Sequence, residues 1–323
     1  MYKTFYSLSR EPFAKETDPS EAYQGAAFQE ALRALEYVKR TRGIGLLIGE
    51  PGAGKTFALR AWKESLSPSL YHVVYFPLST GGVMDFYRGL ALGLGEEPKY
   101  RKVDLFRQIQ QAIERLHHER RITPVFILDE MHLAKDAFLQ DIAILFNFEM
   151  DSTNPFVLIL AGLPHLQGKL RLNQHRPLDQ RIIMRCRMGP LEKEEVAGYI
   201  EHRMKQAGAK HPIFTPSALE AIVLQSRGWP RVINTLATTC LLYGHQLKKD
   251  VIDEEVVRMG CRGNGVLARK GPNRPLLCFL FSIGPSGALE ILHLKERANV
   301  PKECAKSAII RKNFAHYFGI HLK

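Results

Sequence analysis

The sequence has few cysteines and lacks both C-x-x-C pairs and long apolar runs. Its cysteines number five, and none stands two residues from another. Neither a disulfide framework nor a zinc site is indicated by this pattern, which fits a reducing compartment. The apolar stretch at residues 275–283 is too short to cross a bilayer, and residues 1–10 contain no apolar run behind a basic cap. We therefore expect a cytoplasmic protein without a signal peptide or membrane segment.

Acidic residues are also scarce relative to basic ones. The chain has 33 Asp and Glu against 45 Lys and Arg, which gives a formal net charge of +12 and a pI near 9.5. A basic excess favours a polyanionic partner, with nucleic acid first and an anionic membrane surface second. The hydrophobic fraction of 45% is ordinary for a globular protein, and 323 residues are enough for more than one domain.

Short apolar runs alternate with helical stripes between residues 28 and 188. The runs at residues 43–48, 72–77, 125–128, 156–160 and 182–188 have the length of buried strands. Apolar residues at helical spacing occupy residues 28–38, 57–63, 105–116 and 139–148. The alternation predicts an α/β fold with a mainly parallel sheet that is flanked by helices on both faces.

The pattern changes after Pro190. Helical spacing recurs at residues 192–206, 231–242 and 253–259, and Thr215-Pro216 is typical of the start of a further helix. The sequence therefore predicts an α/β domain over residues 1–190 and a small all-helical domain over residues 191–260. Residues 261–323 form a basic tail that starts with a linker broken by glycine and proline.

Residues 49–56, Gly-Glu-Pro-Gly-Ala-Gly-Lys-Thr, fit the pattern G-x-x-x-x-G-K-[ST] completely. Glycines let backbone amides curl around phosphates, and the following helix directs its positive end at them. Lys55 is expected to reach the β- and γ-phosphates of ATP, and the Thr56 hydroxyl is expected to bind Mg²⁺. The predicted nucleotide-binding residues are Gly49, Pro51, Gly52, Ala53, Gly54, Lys55, Thr56 and Phe57.

A second motif, Asp129-Glu130, ends the apolar run of residues 125–128. An acid at the carboxyl end of a strand beside the P-loop can hold Mg²⁺ through water, which is the role predicted for Asp129. Glu130 is placed to polarise the attacking water as a general base. The alternative is that these acids cap the helix that follows the strand.

Three arginines are further candidates for contact with a nucleotide. Arg181, with Arg176 as a second candidate, precedes the last strand and could act on a neighbouring subunit's nucleotide; the alternative is a surface ion pair with Asp179. Arg231, in Gly228-Trp229-Pro230-Arg231, could reach back to the nucleotide from the helical domain. The alternative there is a turn that starts a helix.

With these motifs, the segment of residues 2–260 resembles the ExeA-like and TnsC/TniB-like group of AAA+ ATPases. The resemblance rests on an ordered set of segments: residues 3–13 with Pro12-Phe13, Glu21-Ala22-Tyr23, the P-loop, Asp129-Glu130, residues 161–166, residues 178–182, Pro190-Leu191, Phe214-Thr215 and residues 228–231. It implies an AAA+ module with a helical lid, in which Arg231 is the sensor-2 arginine. Leu163 and His165 depart from the Gln and Glu that relatives often have, which leaves the sensor-1 residue unassigned.

The resemblance implies two kinds of function. In the transposition branch, which includes the similar IstB proteins, ATP-bound rings or filaments assemble on duplex DNA and recruit a transposase at a target site. The ExeA branch serves secretion and carries a membrane segment and a wall-binding region, neither of which is recognisable here. We therefore predict an ATP- and Mg²⁺-dependent transposition regulator that forms homo-oligomers on DNA and contacts a transposase and a target-selection protein.

Two alternatives remain, an AAA+ ATPase that acts on protein partners and a nucleotide-gated switch with little turnover. Glu130 argues against the switch, because a switch needs no poised base. For the DNA contact the sequence favours a basic cluster at the start of a helix; a solvated charged loop explains that cluster equally well. The predicted DNA-contacting residues are Lys99, Arg101, Lys102 and Arg107.

Overall fold

The structure is a computed structural model that describes residues 2–77, 82–148, 154–263, 281–283 and 289–291. Its main sheet contains five strands, which are β1 (Gly43–Gly49), β2 (Tyr71–Pro77), β3 (Thr123–Asp129), β4 (Val157–Gly162) and β5 (Ile182–Met188). All pair in parallel, in the order β2-β3-β4-β1-β5. The predicted α/β fold is therefore confirmed, and each predicted strand lies within two residues of its observed bounds.

The central strands β1, β3 and β4 are buried along their whole length. Their sequences are continuous apolar runs because helices cover both faces of a parallel sheet. Twelve helices are described: α1 (Tyr2–Phe5), α2 (Ala26–Thr41), α3 (Lys55–Ser65), α4 (Val83–Gly93), α5 (Lys102–Glu114), α6 (Asp136–Leu145), α7 (His165–Leu170), α8 (Arg176–Gln180), α9 (Lys193–Gln206), α10 (Pro216–Ser226), α11 (Pro230–Gln246) and α12 (Glu254–Gly263).

Two separate apolar cores lie on the two faces of the sheet. Helices α2 and α3 pack on one face, where Trp62 and Leu59 are almost fully buried. Helices α4, α5 and α6 pack on the other, around Phe86, Phe126 and Phe146. This two-sided packing fixes the strand ends, and it sets the carboxyl ends of β1 and β3 at the same edge of the sheet.

A third core holds α9 to α12 together, and we call these four helices the helical group. Thr215 accepts a hydrogen bond from the backbone N–H of Ala218 and caps α10 as its sequence predicts. Tyr2, Tyr6 and Phe13 are buried in this same core, so the start of the chain packs with the helical group rather than on the sheet. The boundaries 1–190, 191–260 and 261–323 stay a prediction.

Helix α4 is absent from the expectations drawn from the sequence. Its segment contains Gly89 and Gly93, which lower helix propensity. In the structure a Cβ at Gly89 would lie 2.4 Å from the Phe76 ring, and one at Gly93 would lie 2.5 Å from Val74 Cγ1. The glycines therefore let α4 lie close against β2, a requirement of packing that local propensity does not encode.

The C-terminal part forms a unit of its own, residues 270–323. Its described residues are an antiparallel pair of strands, β6 (Phe281–Ile283) and β7 (Leu289–Ile291). Residues 261–263 of the predicted basic tail belong to α12 instead of a linker, and, apart from β6 and β7, the remaining residues of that tail lie outside the described part of the chain. Within the described part of the chain, no helix has the length and apolar character needed to cross a membrane.

Candidate nucleotide site

The P-loop connects the end of β1 to the start of α3. Gly52 and Gly54 have φ angles of +87° and +96°, in the left-handed region that glycine tolerates best. Lys55 is buried, and its Nζ donates hydrogen bonds to the carbonyl oxygens of Gly49, at 2.8 Å, and Glu50, at 3.2 Å. The loop thus has the compact curl that phosphate binding by backbone amides requires.

Burial lowers the pKa of Lys55, while the nearby carboxylates of Glu130 and Asp129 act in the opposite direction. These two acids lie at the end of β3, and β4 separates that strand from β1. Lys55 and Asp129 are 74 residues apart in sequence. The fold brings their two motifs close enough for their charges to interact. The interpretation of Asp129-Glu130 as a helix cap is not needed to explain this placement.

The Thr56 hydroxyl and the Asp129 carboxylate are the candidate ligands for Mg²⁺. Thr56 Oγ1 donates to Asp129 Oδ2 at 2.9 Å, and the Tyr75 hydroxyl donates to the same oxygen at 3.3 Å. Oxygen ligands of this type suit Mg²⁺, which usually keeps waters and binds substrate phosphates as well. In the described residues no group of three or more His, Cys, Asp or Glu side chains forms a metal cage, so Thr56 and Asp129 would hold Mg²⁺ together with the nucleotide.

Glu130 occupies a strained backbone position, with φ +57° and ψ +30°. Its backbone N–H donates to Asp129 Oδ1 at 2.8 Å, and 47% of its side chain is exposed. His132 Nδ1 lies 3.3 Å from Glu130 Oε2 without the alignment of a hydrogen bond. Burial, His165 and Lys55 lower the pKa of His132, against the opposite effect of Glu130, which favours a neutral imidazole beside the predicted base.

His132 and His165 face each other edge to face, with ring centroids 5.3 Å apart. His165 begins α7, directly after β4, at the position where the resemblance left sensor 1 unassigned. This histidine pair cannot be predicted from the sequence, because His132 and His165 are 33 residues apart and form no motif. Tyr75 was missed for the same reason, since it reaches the site only through the pairing of β2 with β3.

Arg231 lies against the P-loop at the first turn of α11. Its backbone N–H donates to the Gly52 carbonyl at 3.3 Å, and a Cβ on Gly52 would lie 2.6 Å from Arg231 Cβ. The turn before it depends on Gly228, whose φ is +75° and whose added Cβ would lie 2.1 Å from the Leu191 carbonyl oxygen. The structure therefore brings the predicted sensor-2 arginine to the nucleotide loop.

The other predicted arginines lie elsewhere. The Arg181 guanidinium donates to the carbonyls of Ala143, at 3.1 Å, and Phe146, at 2.5 Å, at the end of α6. Asp179, the alternative partner expected from the sequence, instead pairs with Arg185 at 2.8 Å. Arg176 is exposed. A role for Arg181 or Arg176 at a neighbouring subunit's nucleotide stays a prediction.

The predicted DNA-contacting residues lie around the start of α5. Lys102 pairs with Asp141 at 2.7 Å and lies over the Tyr87 ring, 5.5 Å from its centroid. Lys99, Arg101 and Arg107 are exposed. Their contact with DNA stays a prediction.

Comparisons with known proteins agree with this geometry. Residues 38–170 match the AAA domain family. General secretion pathway protein A of Aeromonas hydrophila is 31% identical over 248 residues, which are 75% of this chain and 44% of that protein. The chain thus spans less than half the length of this relative.

Similar solved structures share the fold at low sequence identity. Cdc6p from Pyrobaculum aerophilum has a TM-score of 0.58 and 18% identity, over 81% of this chain and 70% of that one. The ORC1 protein of Aeropyrum pernix, in complex with DNA, has a TM-score of 0.58 and 15% identity, over 78% and 68% of the two chains. With the P-loop and the paired acids, the family match over residues 38–170 supports an AAA-type ATPase domain in this chain, and the solved structures share its fold.

Proposed function

We propose that this AAA+ ATPase assembles on duplex DNA in its ATP-bound state and, in that form, recruits or activates a transposase at a target site. The observation that carries the proposal is the contact between Arg231 and Gly52. Through it, a phosphate that enters the P-loop meets a residue of the helical group, and a change in this contact moves α11. Nucleotide state can thereby control the shape that one subunit presents to the next.

The role of DNA is supported by charge and by fold. A net charge of +12 favours a polyanion. The similar ORC1 protein of Aeropyrum pernix is described in complex with DNA. The site residues take the roles of their motif: Lys55 binds phosphate, Thr56 and Asp129 hold Mg²⁺, Glu130 is the base, and Arg231 senses the nucleotide.

The experiment uses purified protein with random-sequence duplex DNA, imaged by negative-stain electron microscopy and titrated by fluorescence anisotropy. ATP with Mg²⁺, a non-hydrolysable analogue and no nucleotide are compared, with Lys55→Ala as the control. We expect rings or filaments on DNA with ATP or its analogue only, and none with the variant. An absence of DNA binding in every state at modest salt contradicts the proposal.

A second function, action on protein partners in secretion, is favoured by the 31% identity to General secretion pathway protein A. It predicts ATP-dependent self-association that added duplex DNA leaves unchanged. Sedimentation of the protein with ATP, with and without duplex, separates the two functions. A DNA-dependent shift to larger species supports transposition, whereas identical profiles support the secretion role.

A further inference from the structure

A cluster of basic residues lies where β1 and β3 begin, at the edge of the sheet opposite the P-loop. Arg42 directly precedes β1, and Arg121 lies two residues before β3. A π-helical turn, Arg115–Glu119, leads into the second of these segments. We define the strand-start patch as Arg42, His117, His118, Arg120 and Arg121.

The backbone holds this patch in an unusual geometry. Arg42 has φ +53° and Arg121 has φ +58°, conformations that cost about 1–2 kcal/mol for residues other than glycine. Arg42 Nη1 lies 3.1 Å from His117 Nε2, a contact that joins the two segments across 75 residues of sequence. π-Helical turns are rare and frequently mark functional sites. Local strain is thus concentrated at the place where the basic side chains converge.

The patch is not neutralised by carboxylates. The pKa of His117 is lowered by burial first and then by Arg42, His118 and Arg121, all of which are basic. Arg42, Arg120 and Arg121 are exposed, and none of the three forms an ion pair with another described residue. Glu119 is the one acid in the segment 117–121. Like charges held together without counter-charges are stabilised when a polyanion binds them.

The cluster at the start of α5 differs in this respect. Lys102 is paired with Asp141 at 2.7 Å. Lys99 lines an open groove of 580 Å³ together with Glu96, Glu114 and Glu119. His118 of the strand-start patch lines the same groove, as does Arg115. The acids of the groove would repel a phosphate backbone, so the groove is less suited to DNA than Arg42, Arg120 and Arg121, which are not among its lining residues.

We propose that the strand-start patch binds the phosphate backbone of duplex nucleic acid. This inference rests on the proposed function and names the surface that it uses. Arginine guanidinium groups present planar forks that match phosphate oxygens in pairs. Contacts of this kind read no base sequence, so the patch gives affinity without target specificity.

Strand β3 connects this patch to the ATP site. It begins after Ile122 and ends at Asp129, and its seven residues span about 20 Å. The patch is therefore too far from the nucleotide to touch it, and neutral substitutions there are expected to leave basal ATP hydrolysis unchanged.

The test is anisotropy of random-sequence duplex with the full chain and a non-hydrolysable ATP analogue, at salt concentrations between 50 and 200 mM. Arg120→Gln/Arg121→Gln removes two positive charges from the patch. The matched control, Lys205→Gln/Lys210→Gln, removes two exposed charges from α9 and from the loop that follows it. ATP hydrolysis without DNA reports on folding of both variants. The single variant Arg120→Gln, at a residue with ordinary φ of −92°, repeats the test with less change to the backbone.

We expect the patch variant to lose about tenfold or more in affinity and its salt slope to fall by about two, and the single variant's slope to fall by about one. Equal affinity and slope in the patch variant and the control overturn this inference and leave the proposed function standing. Failure of the unaltered protein to bind duplex overturns both. Binding to vesicles with anionic lipid, but not to duplex, would identify a membrane surface as the partner. That result overturns both the proposed function and this inference.

Discussion

Glu130 combines a left-handed backbone with a half-exposed carboxylate that accepts no aligned hydrogen bond from the side chains or backbone of the described residues. Strained positions of this kind persist where the surrounding structure fixes them, and they concentrate at active sites. Here the Asp129 carboxylate accepts the Glu130 N–H and holds the backbone in place. The carboxylate remains available to a water molecule.

We predict that Glu130→Gln lowers kcat for ATP hydrolysis about 100-fold or more, because a positioned general base contributes that much, and leaves ATP affinity unchanged. Steady-state hydrolysis and equilibrium binding of a fluorescent ATP analogue measure the two quantities. Glu64→Gln, at an exposed position of α3, is the control. A variant that keeps half of the original kcat would assign the base to another residue.

Gly228 is a second residue whose identity is set by geometry. Alanine there meets both the left-handed φ of +75° and the Leu191 carbonyl at 2.1 Å, whereas Gly95, with φ +80°, has nothing within 4 Å of an added Cβ. We predict that Gly228→Ala lowers the free energy of unfolding by about 2–5 kcal/mol and Gly95→Ala by about 1–2 kcal/mol. Urea titration compares them, and equal losses would show that the Leu191 contact relaxes.

At the scale of elements, the first turn of α11 joins the helical group to the P-loop. We predict that Arg231→Ala weakens ATP binding about tenfold or more, since a charged hydrogen bond contributes about 1.5–3 kcal/mol. Arg231→Lys should recover part of the loss. Calorimetric titration with a non-hydrolysable analogue measures the affinity, with exposed Arg227→Ala as the control. Unchanged affinity in Arg231→Ala would limit this contact to a packing role.

Elements with a strong local signal could be predicted from the sequence. The P-loop and the apolar run that ends in Asp129 carry their own pattern, and the parallel sheet follows from alternation. Helix α4 could not be predicted, because Gly89 and Gly93 serve its packing on β2. The His132–His165 pair and the placement of residues 2–13 depend on contacts between distant segments, which periodicity does not encode.

At the scale of the whole molecule, buried cysteine thiols make the free energy of unfolding depend on pH in alkaline solution. Burial, with Glu30, raises the pKa of Cys186 from 9.0 to about 11, and burial, with Cys261, raises that of Cys240 to about 12. The unfolded chain loses these protons near pH 9, while the folded chain keeps them. Ionisation of these thiols in the unfolded chain therefore lowers the free energy of unfolding as pH rises from about 9 to the folded-state pKa values of about 11 and about 12.

We predict that the urea midpoint is lower at pH 10.5 than at pH 8.5, and that Cys240→Ala reduces this difference. Circular dichroism at the two pH values measures both midpoints. The urea midpoint of Cys240→Ala at pH 8.5 measures the stability lost through packing alone. A midpoint that stays constant to pH 10.5 would mean that the thiols ionise without unfolding.

The burial of the chain's first residues in the helical group has a mechanical consequence. Residues 14–25 and 189–192 both cross between that group and the sheet, so two covalent links join the bodies. Arg203 donates to Ala14 and Thr17, and Arg60 of α3 donates to Thr17, so Thr17 of the first link is bonded both to the helical group and to α3. A single covalent link would let the helical group rotate in any direction relative to the sheet, whereas two links restrict that rotation to one axis. We therefore expect any movement of the helical group relative to the sheet to be a rotation about the line that joins these two links.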